Sequence, residues 1–212
     1  MIIETLQLEA YPVKAIIGLH GWSGDEQSLL PVARGVRCRE AHWLLPRGPY
    51  PAQDGDGFAW FAGSDRRTWQ ADRSFILLDE LLAGLREDGF AAADIYFCGF
   101  SMGACLALEY ALRLPHALGG IVPIAGFIRD PQMLAKAATA ASRATPVLLL
   151  HGAEDEIVPS ESSQTAYQFL KDRGQPVTLE LYPAAHKIPV DRFGLIRGFI
   201  AGDSVPVAAS AP

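Results

Sequence analysis

Ser101 stands between two glycines in Gly99-Phe100-Ser101-Met102-Gly103, with an apolar run before it and a helical pattern after it. Ile95-Tyr96-Phe97-Cys98 reads as a buried strand, while Cys105, Leu106, Leu108, Ala111 and Leu112 recur at helical spacing. A serine at such a strand-to-helix elbow is driven into strained backbone angles that lift its hydroxyl clear of the sheet. Glycines on both sides let helix and strand approach closely. The hydroxyl becomes a useful nucleophile only if a base takes its proton and a third group orients that base. A tight turn with an incidental serine would carry the same five residues, so a base and an acid have to be found elsewhere.

In open parallel sheets functional groups collect beyond the carboxyl ends of the strands. Val147 to Leu150 is an uninterrupted apolar strand leading into HGAEDEIVP, which places Asp155 in a loop framed by Gly152 and Pro159. Glu154 and Glu156 are rivals for the same role. Val177 to Tyr182 alternates as a strand and leads into PAAHKIP, which places His186 in a short loop before a helix. The order Ser101, Asp155, His186 is that of a serine-hydrolase triad built on an α/β sheet. His20 and His151 each follow a strand and precede a glycine. No carboxylate or thiol sits at ligand spacing around them, so they read as loop-fixing hydrogen-bonders, and no metal site is expected.

The elements that must position these groups alternate along the chain. Strands are expected over Ile2 to Leu8, Ala15 to Leu19, His42 to Leu45, the Ile95 run, Gly120 to Ile124, Val147 to Leu150 and Val177 to Tyr182. Helices are expected over Glu26 to Val36, Asp72 to Glu87, the stretch after Ser101, Pro131 to Ala141, Ser160 to Lys171 and Pro189 to Ile200. Near-continuously apolar strands flanked by helices imply a mostly parallel sheet covered on both faces, an α/β fold in one domain. That domain is expected to span residues 1–202, with 203–212 a disordered tail of small, non-periodic residues. Arg47 to Gln70 forms a long Gly-, Pro- and aromatic-rich loop, a length that usually signals function or mobility.

Bulk properties narrow the class. The chain has 212 residues, half of them hydrophobic, and a net charge of −6. No basic cluster beyond Arg66-Arg67 stands out, which argues against a nucleic-acid partner. The N-terminus lacks the basic start and apolar core of a signal peptide, and no run reaches membrane-span length. Three cysteines, Cys38, Cys98 and Cys105, form no paired motif, which fits reduced thiols and a cytoplasmic protein. Cys98 and Cys105 fall in apolar patterns and read as packing.

The stretches LHGWSGD, GFSMG, HGAEDEIVP and AAHKIP, with RGPY and Trp60-Phe61 in the long loop, resemble the phospholipase/carboxylesterase group of the α/β-hydrolase superfamily, which includes acyl-protein thioesterases. They span most of residues 16 to 190. The chain departs from the family pattern at Met102, where glutamine is usual, and at Ala185, where glycine is usual. The resemblance implies an α/β-hydrolase fold without a large cap and two-step acyl transfer from a small-molecule ester or thioester, with no cofactor; a homodimer stays open. His186 would be the base and Asp155 the residue that orients it. Met102 and Trp22 would offer backbone N–H groups to the oxyanion. Tyr50, Phe58, Trp60, Phe61 and Trp69 would line an acyl pocket, against ordinary packing beneath the loop. Arg66 and Arg67 read as solvated, with contact to an anionic substrate group as the alternative. A peptidase of the same fold and a catalytically silent binding scaffold are the competing functions.

Overall fold

The computed structural model describes residues 2–203 except Asp54 and Arg67. The expected tail, apart from Asp203, lies outside the described residues. Seven strands form one sheet in the order β1-β3-β2-β6-β7-β8-β9. These are β1 (Ile3–Gln7), β2 (Lys14–Leu19), β3 (Ala41–Pro46), β6 (Ile95–Phe100), β7 (Gly120–Ile124), β8 (Val147–Gly152) and β9 (Val177–Tyr182). β1 runs antiparallel to β3 at one edge, and every other pairing is parallel. The pleat of β2 shows how the sheet divides the core. Ala15, Ile17 and Leu19 point into one cluster and Ile16 into the other.

Six helices cover the two faces. α1 (Leu30–Val36) and α6 (Phe193–Ala201) share the Ile16 side, through Val32, Ala33, Val36, Ile196 and Ile200. α2 (Asp72–Glu87), α3 (Met102–Ala111), α4 (Pro131–Ala137) and α5 (Glu161–Asp172) contribute to the other cluster. All ten residues of α3 are buried, Glu109 included, so this helix is enclosed on every side and sits centrally against β6 and β7. Both cysteines read as packing are buried, Cys105 in α3 and Cys98 in β6 on the opposite cluster, and burial pushes the Cys98 thiol up to about 12.

Three boundaries differ from the sequence expectation, each for a local reason. α1 begins at Leu30 rather than Glu26. Asp25 Oδ1 accepts from Gln27 N–H at 3.0 Å and Ser28 Oγ at 2.8 Å, which stabilises a turn there. Pro31 then falls in the first helical turn, where a missing N–H costs nothing. α4 stops at Ala137 because Ala138 is extended and Thr139 N–H donates instead to Leu112 O at 3.0 Å. The last helix is preceded by a 3-10 turn over Val190–Arg192. Within the long loop, β4 (Tyr50–Pro51) and β5 (Phe58–Ala59) form a small antiparallel ribbon.

Candidate active site

Ser101 caps α3 with φ 53° and ψ −113°, a conformation that non-glycine residues avoid. The strain is held from both sides. Ser101 N–H donates to Ile124 O at 2.8 Å, and a Cβ at Gly103 would stand 2.2 Å from Leu19 O. One at Gly99 would meet Gly103 O at 2.5 Å. No larger residue fits either position without moving backbone, which is the physical content of the glycine pattern. The first bond of α3 runs from Cys105 N–H to Ser101 O, so Met102 N–H precedes the helical ladder at the positive end of the helix.

β8 and β9 deliver the other two groups. His186 Nδ1 stands 2.6 Å from Asp155 Oδ2, with the carboxylate side chain fully buried and the ring about one-fifth exposed. Asp155 Oδ1 accepts from Ile157 N–H and Val158 N–H, both at 2.9 Å. Burial drives this carboxyl upward. The N–H of Val158, the His186 ring and the N–H of Ile157 together overcome that and hold it below the usual range. Glu154 and Glu156 are exposed, so of the three neighbouring acids only Asp155 turns inward to the histidine. The His186 ring lies 4.7 Å from that of Phe100, the residue preceding Ser101. Among the described residues no hydrogen bond joins Ser101 Oγ to the ring, a contact that in free enzymes often closes only with substrate bound.

The loop after β2 flanks the elbow. A Cβ at Gly21 would lie 3.7 Å from Ser101 Cβ, which puts Gly21, the residue before Trp22, beside the serine. Gly24 N–H donates to Gly21 O at 3.2 Å, making Trp22 and Ser23 the centre of a turn whose closure uses neither of their N–H groups. His20 anchors this turn. Its Nδ1 meets Gly21 O at 2.7 Å, and its Nε2 accepts from Gly48 N–H at 3.0 Å, a pattern that requires the neutral ring. Burial lowers the His20 pKa in the same direction.

The five aromatic residues of the long loop separate into two groups. Trp60 is fully buried, donates its indole N–H to His20 O at 2.8 Å and packs on the His20 ring, so it supports the turn rather than facing solvent. Phe58 lies under Arg47, and its N–H holds Gly24 O at 2.8 Å. The Tyr50 hydroxyl accepts from Arg73 N–H. Trp69 takes a different place. It stacks on Trp22 at 6.5 Å and on buried Phe61 at 5.1 Å, and it borders a cavity of about 610 Å³ with Arg66, Arg129, Asp130 and Met133. The other four aromatics are not in its lining, and neither are Ser101, Asp155 and His186. The cavity adjoins the elbow through the Trp69–Trp22 stack. Arg67 lies outside the described residues. Arg66 is exposed, with its guanidinium over the Phe127 ring at 4.8 Å.

Other residues at the site carried no sequence signal for a role there, although His151 read as a loop-fixing hydrogen-bonder and Phe100 lies in the elbow itself. Arg129 makes a two-pronged ion pair with Glu109 of α3, at 2.7 and 2.6 Å, and donates to Trp69 O at 2.7 Å. Phe127 and Phe100 pack on Trp69 and His186. His151 reaches the same carboxylate as His186. Each is an ordinary residue in an apolar or loop context, and only the crossing of distant segments brings it to the site.

Residues 4–203 match the family model described as phospholipase/carboxylesterase. A probable carboxylesterase of Oryza sativa subsp. japonica is 30% identical over 83% of this chain and 82% of its own length. An acyl-protein thioesterase 1 of Gibberella zeae is 26% identical over 77% of this chain and 76% of its own. Among solved structures, the crystal structure of esterase PE8 superposes with a TM-score of 0.83 at 29% identity, covering 94% of this chain and 97% of that one.

Proposed function

The chain belongs to the phospholipase/carboxylesterase family, and from that premise we propose that Ser101, His186 and Asp155 perform two-step acyl transfer on carboxylic esters or acyl thioesters. It is a carboxylesterase/thioesterase-type hydrolase by its relatives. The observation that carries the assignment of residues is the 2.6 Å contact between His186 Nδ1 and the one buried acid of its loop, beside a serine held at positive φ.

Asp155 accepts the Nδ1–H of His186, which leaves Nε2 free to take a proton. Ser101 Oγ attacks the substrate carbonyl as its proton passes to His186 Nε2. His186 then returns that proton to the leaving alcohol or thiol, and the acyl group remains on Oγ. A water, deprotonated by His186, attacks the acyl-enzyme, and the acid leaves as Ser101 regains its proton. In the tetrahedral intermediate of each step the carbonyl oxygen carries negative charge, and in this reading the N–H groups of Met102 and Trp22 receive it.

Short to medium acyl chains suit the surroundings. A chain passing Trp22 meets the face of Trp69 and then the cavity, where Arg66, Arg129 and Asp130 penalise a long alkyl tail. The test is hydrolysis of p-nitrophenyl esters graded from acetate to dodecanoate, with one acyl thioester, by the parent and by Ser101→Ala. We expect a maximum at short or medium length. We also expect a loss of at least ~10³-fold in the variant, which stays folded because the Ser101 side chain packs no core. A variant that keeps most of its activity would remove Ser101 as nucleophile.

A further inference from the structure

Asp155 Oδ2 carries two imidazoles. His186 Nδ1 approaches it at 2.6 Å, and His151 Nε2 at 3.3 Å, with the His151 and Asp155 side chains both fully buried. His151 Nε2 also lies 2.8 Å from Val158 O. A carbonyl oxygen can only accept, so this nitrogen bears the hydrogen and donates it to Val158 O, while Asp155 Oδ2 lies beside the same N–H at 3.3 Å and feels its dipole. The other ring nitrogen, Nδ1, is 2.6 Å from Ser163 Oγ of α5, which also reaches Gly126 O at 3.3 Å. Ser163 donating to Nδ1 polarises the ring and strengthens donation from Nε2. The result is a buried chain from α5 through His151 to the acid.

We propose that His151 is a positioning residue for Asp155, whose Nε2–H turns the carboxylate toward His186 and draws off part of the charge that His186 would otherwise receive. The inference rests on the reading of Asp155 and His186 as acid and base. Two restraints act on different oxygens. The Ile157 and Val158 N–H groups fix Oδ1, while Oδ2 is hydrogen-bonded to His186 with His151 Nε2 standing 3.3 Å away. By donating to Val158 O, His151 ties the far end of the loop to β8. Without it, Oδ2 keeps its one hydrogen-bond partner, His186, but loses the neighbouring N–H dipole, and its whole charge acts on His186. An imidazolium beside a fuller charge is more stable, so the base should become protonated at higher pH.

Few other ionisable groups face this pair. Tyr182 of β9 stands near Asp155, but burial, helped by that carboxylate, raises its pKa far beyond the working range. Arg192 and Asp191 lie behind Tyr182, and Glu154, Glu156 and Lys187 are exposed. β6 offers only the Phe100 ring.

The experiment is the pH dependence of kcat/KM for a p-nitrophenyl ester, measured on the parent, His151→Leu, His151→Gln and Ser163→Ala. For His151→Leu we expect the acid limb to move up by roughly half a pH unit, a fraction of one charge-assisted hydrogen bond. Its kcat should fall about tenfold as the carboxylate loses orientation. Glutamine places an amide N–H where Nε2–H was, so His151→Gln should return the limb to the parent's position. Ser163→Ala should move it in the same direction as leucine, by less. A purely structural role for His151 would lower rate or stability without moving the limb. The proposal fails if the leucine profile superimposes on the parent's after scaling, or if glutamine leaves the limb where leucine puts it. Should the leucine variant not fold, Ser163→Ala decides, and an unmoved limb overturns the proposal. Failure of the underlying acid–base reading would look different, because Asp155→Asn would then leave kcat intact.

Discussion

The loop from Gly152 to Pro159 and the loop from Arg47 to Gln70 both serve the surroundings of Ser101, but they are held by different forces. In the first, Ala153 N–H donates to Tyr182 O, Glu154 N–H to Ala184 O, and Asp155 collects donors on both oxygens. In the second, flat faces and cations add to hydrogen bonds such as those of Arg47, Phe58 N–H and the Trp60 indole. Arg47 lies over Phe58, Arg73 over Tyr50, Arg129 over Phe61, and Trp69 is stacked between Trp22 and Phe61. Hydrogen bonds depend steeply on angle and distance, whereas stacking tolerates sliding. The difference teaches that one loop is built to fix a single carboxylate, and the other to hold a broad aromatic surface.

If that is right, exchanging one atom should hurt the first loop most. Asp155→Asn offers the amide where an acceptor is needed and favours the wrong His186 tautomer. In a serine protease the equivalent change lowers turnover ~10⁴-fold, and here a loss of at least ~10²-fold is expected in kcat under saturating ester. Glu154→Gln and Glu156→Gln should stay within about threefold, because exposed charges away from such features matter little. A glutamate variant weaker than Asp155→Asn would move the acid within the loop and break the contrast.

The aromatic loop has a further directional anchor beneath it, the Arg129–Glu109 pair, with side chains 9% and 1% exposed. Arg129→Met strands the buried Glu109 carboxylate and should destabilise the protein by about 3–5 kcal/mol, seen as a fall in Tm of roughly 10 °C. Adding Glu109→Leu should recover most of this, since removing both charges leaves neither uncompensated. Thermal unfolding followed by circular dichroism reads both. If the single variant were as stable as the parent, the pair would not anchor the loop through Trp69 O.

The smallest effects should come from the stacked rings themselves. Trp69→Phe keeps a face for Trp22 and should change kcat/KM by less than about threefold. Trp69→Ala opens both the Trp22 support and the cavity wall, and about a tenfold loss is expected, mainly in KM for longer acyl esters. Equal losses for phenylalanine and alanine would show that the indole has a specific polar task, and the two loops would then be alike.

Much of the site could be read from the chain because its local geometry is demanding. Ser101 at positive φ requires glycine at the close approaches on either side, so the elbow is written in five consecutive residues. Asp155 and His186 each follow a strand, and strand ends are visible as the points where apolar runs stop. The start of α1 was less legible, since Glu26 continues the helical pattern while its side chain answers to Arg47 in another loop. The aromatic residues of the long loop were legible as a group but not in their tasks. Trp60 and Trp69 look alike in the chain, yet one supports His20 from within the core and the other borders the cavity.

By itself, then, the sequence determined the alternation of strands and helices, the strained serine and the order of the three reactive groups. These depend on periodicity and on steric rules that act within a few residues. Which of three adjacent acids turns inward, which indole meets the cavity, and the approach of both His151 and His186 to one Asp155 oxygen were decided only when β8, β9, α5 and the long loop came together. Those choices depend on distances between residues far apart in the chain. No local pattern encodes them, because burial and hydrogen-bond geometry exist only once the segments have packed.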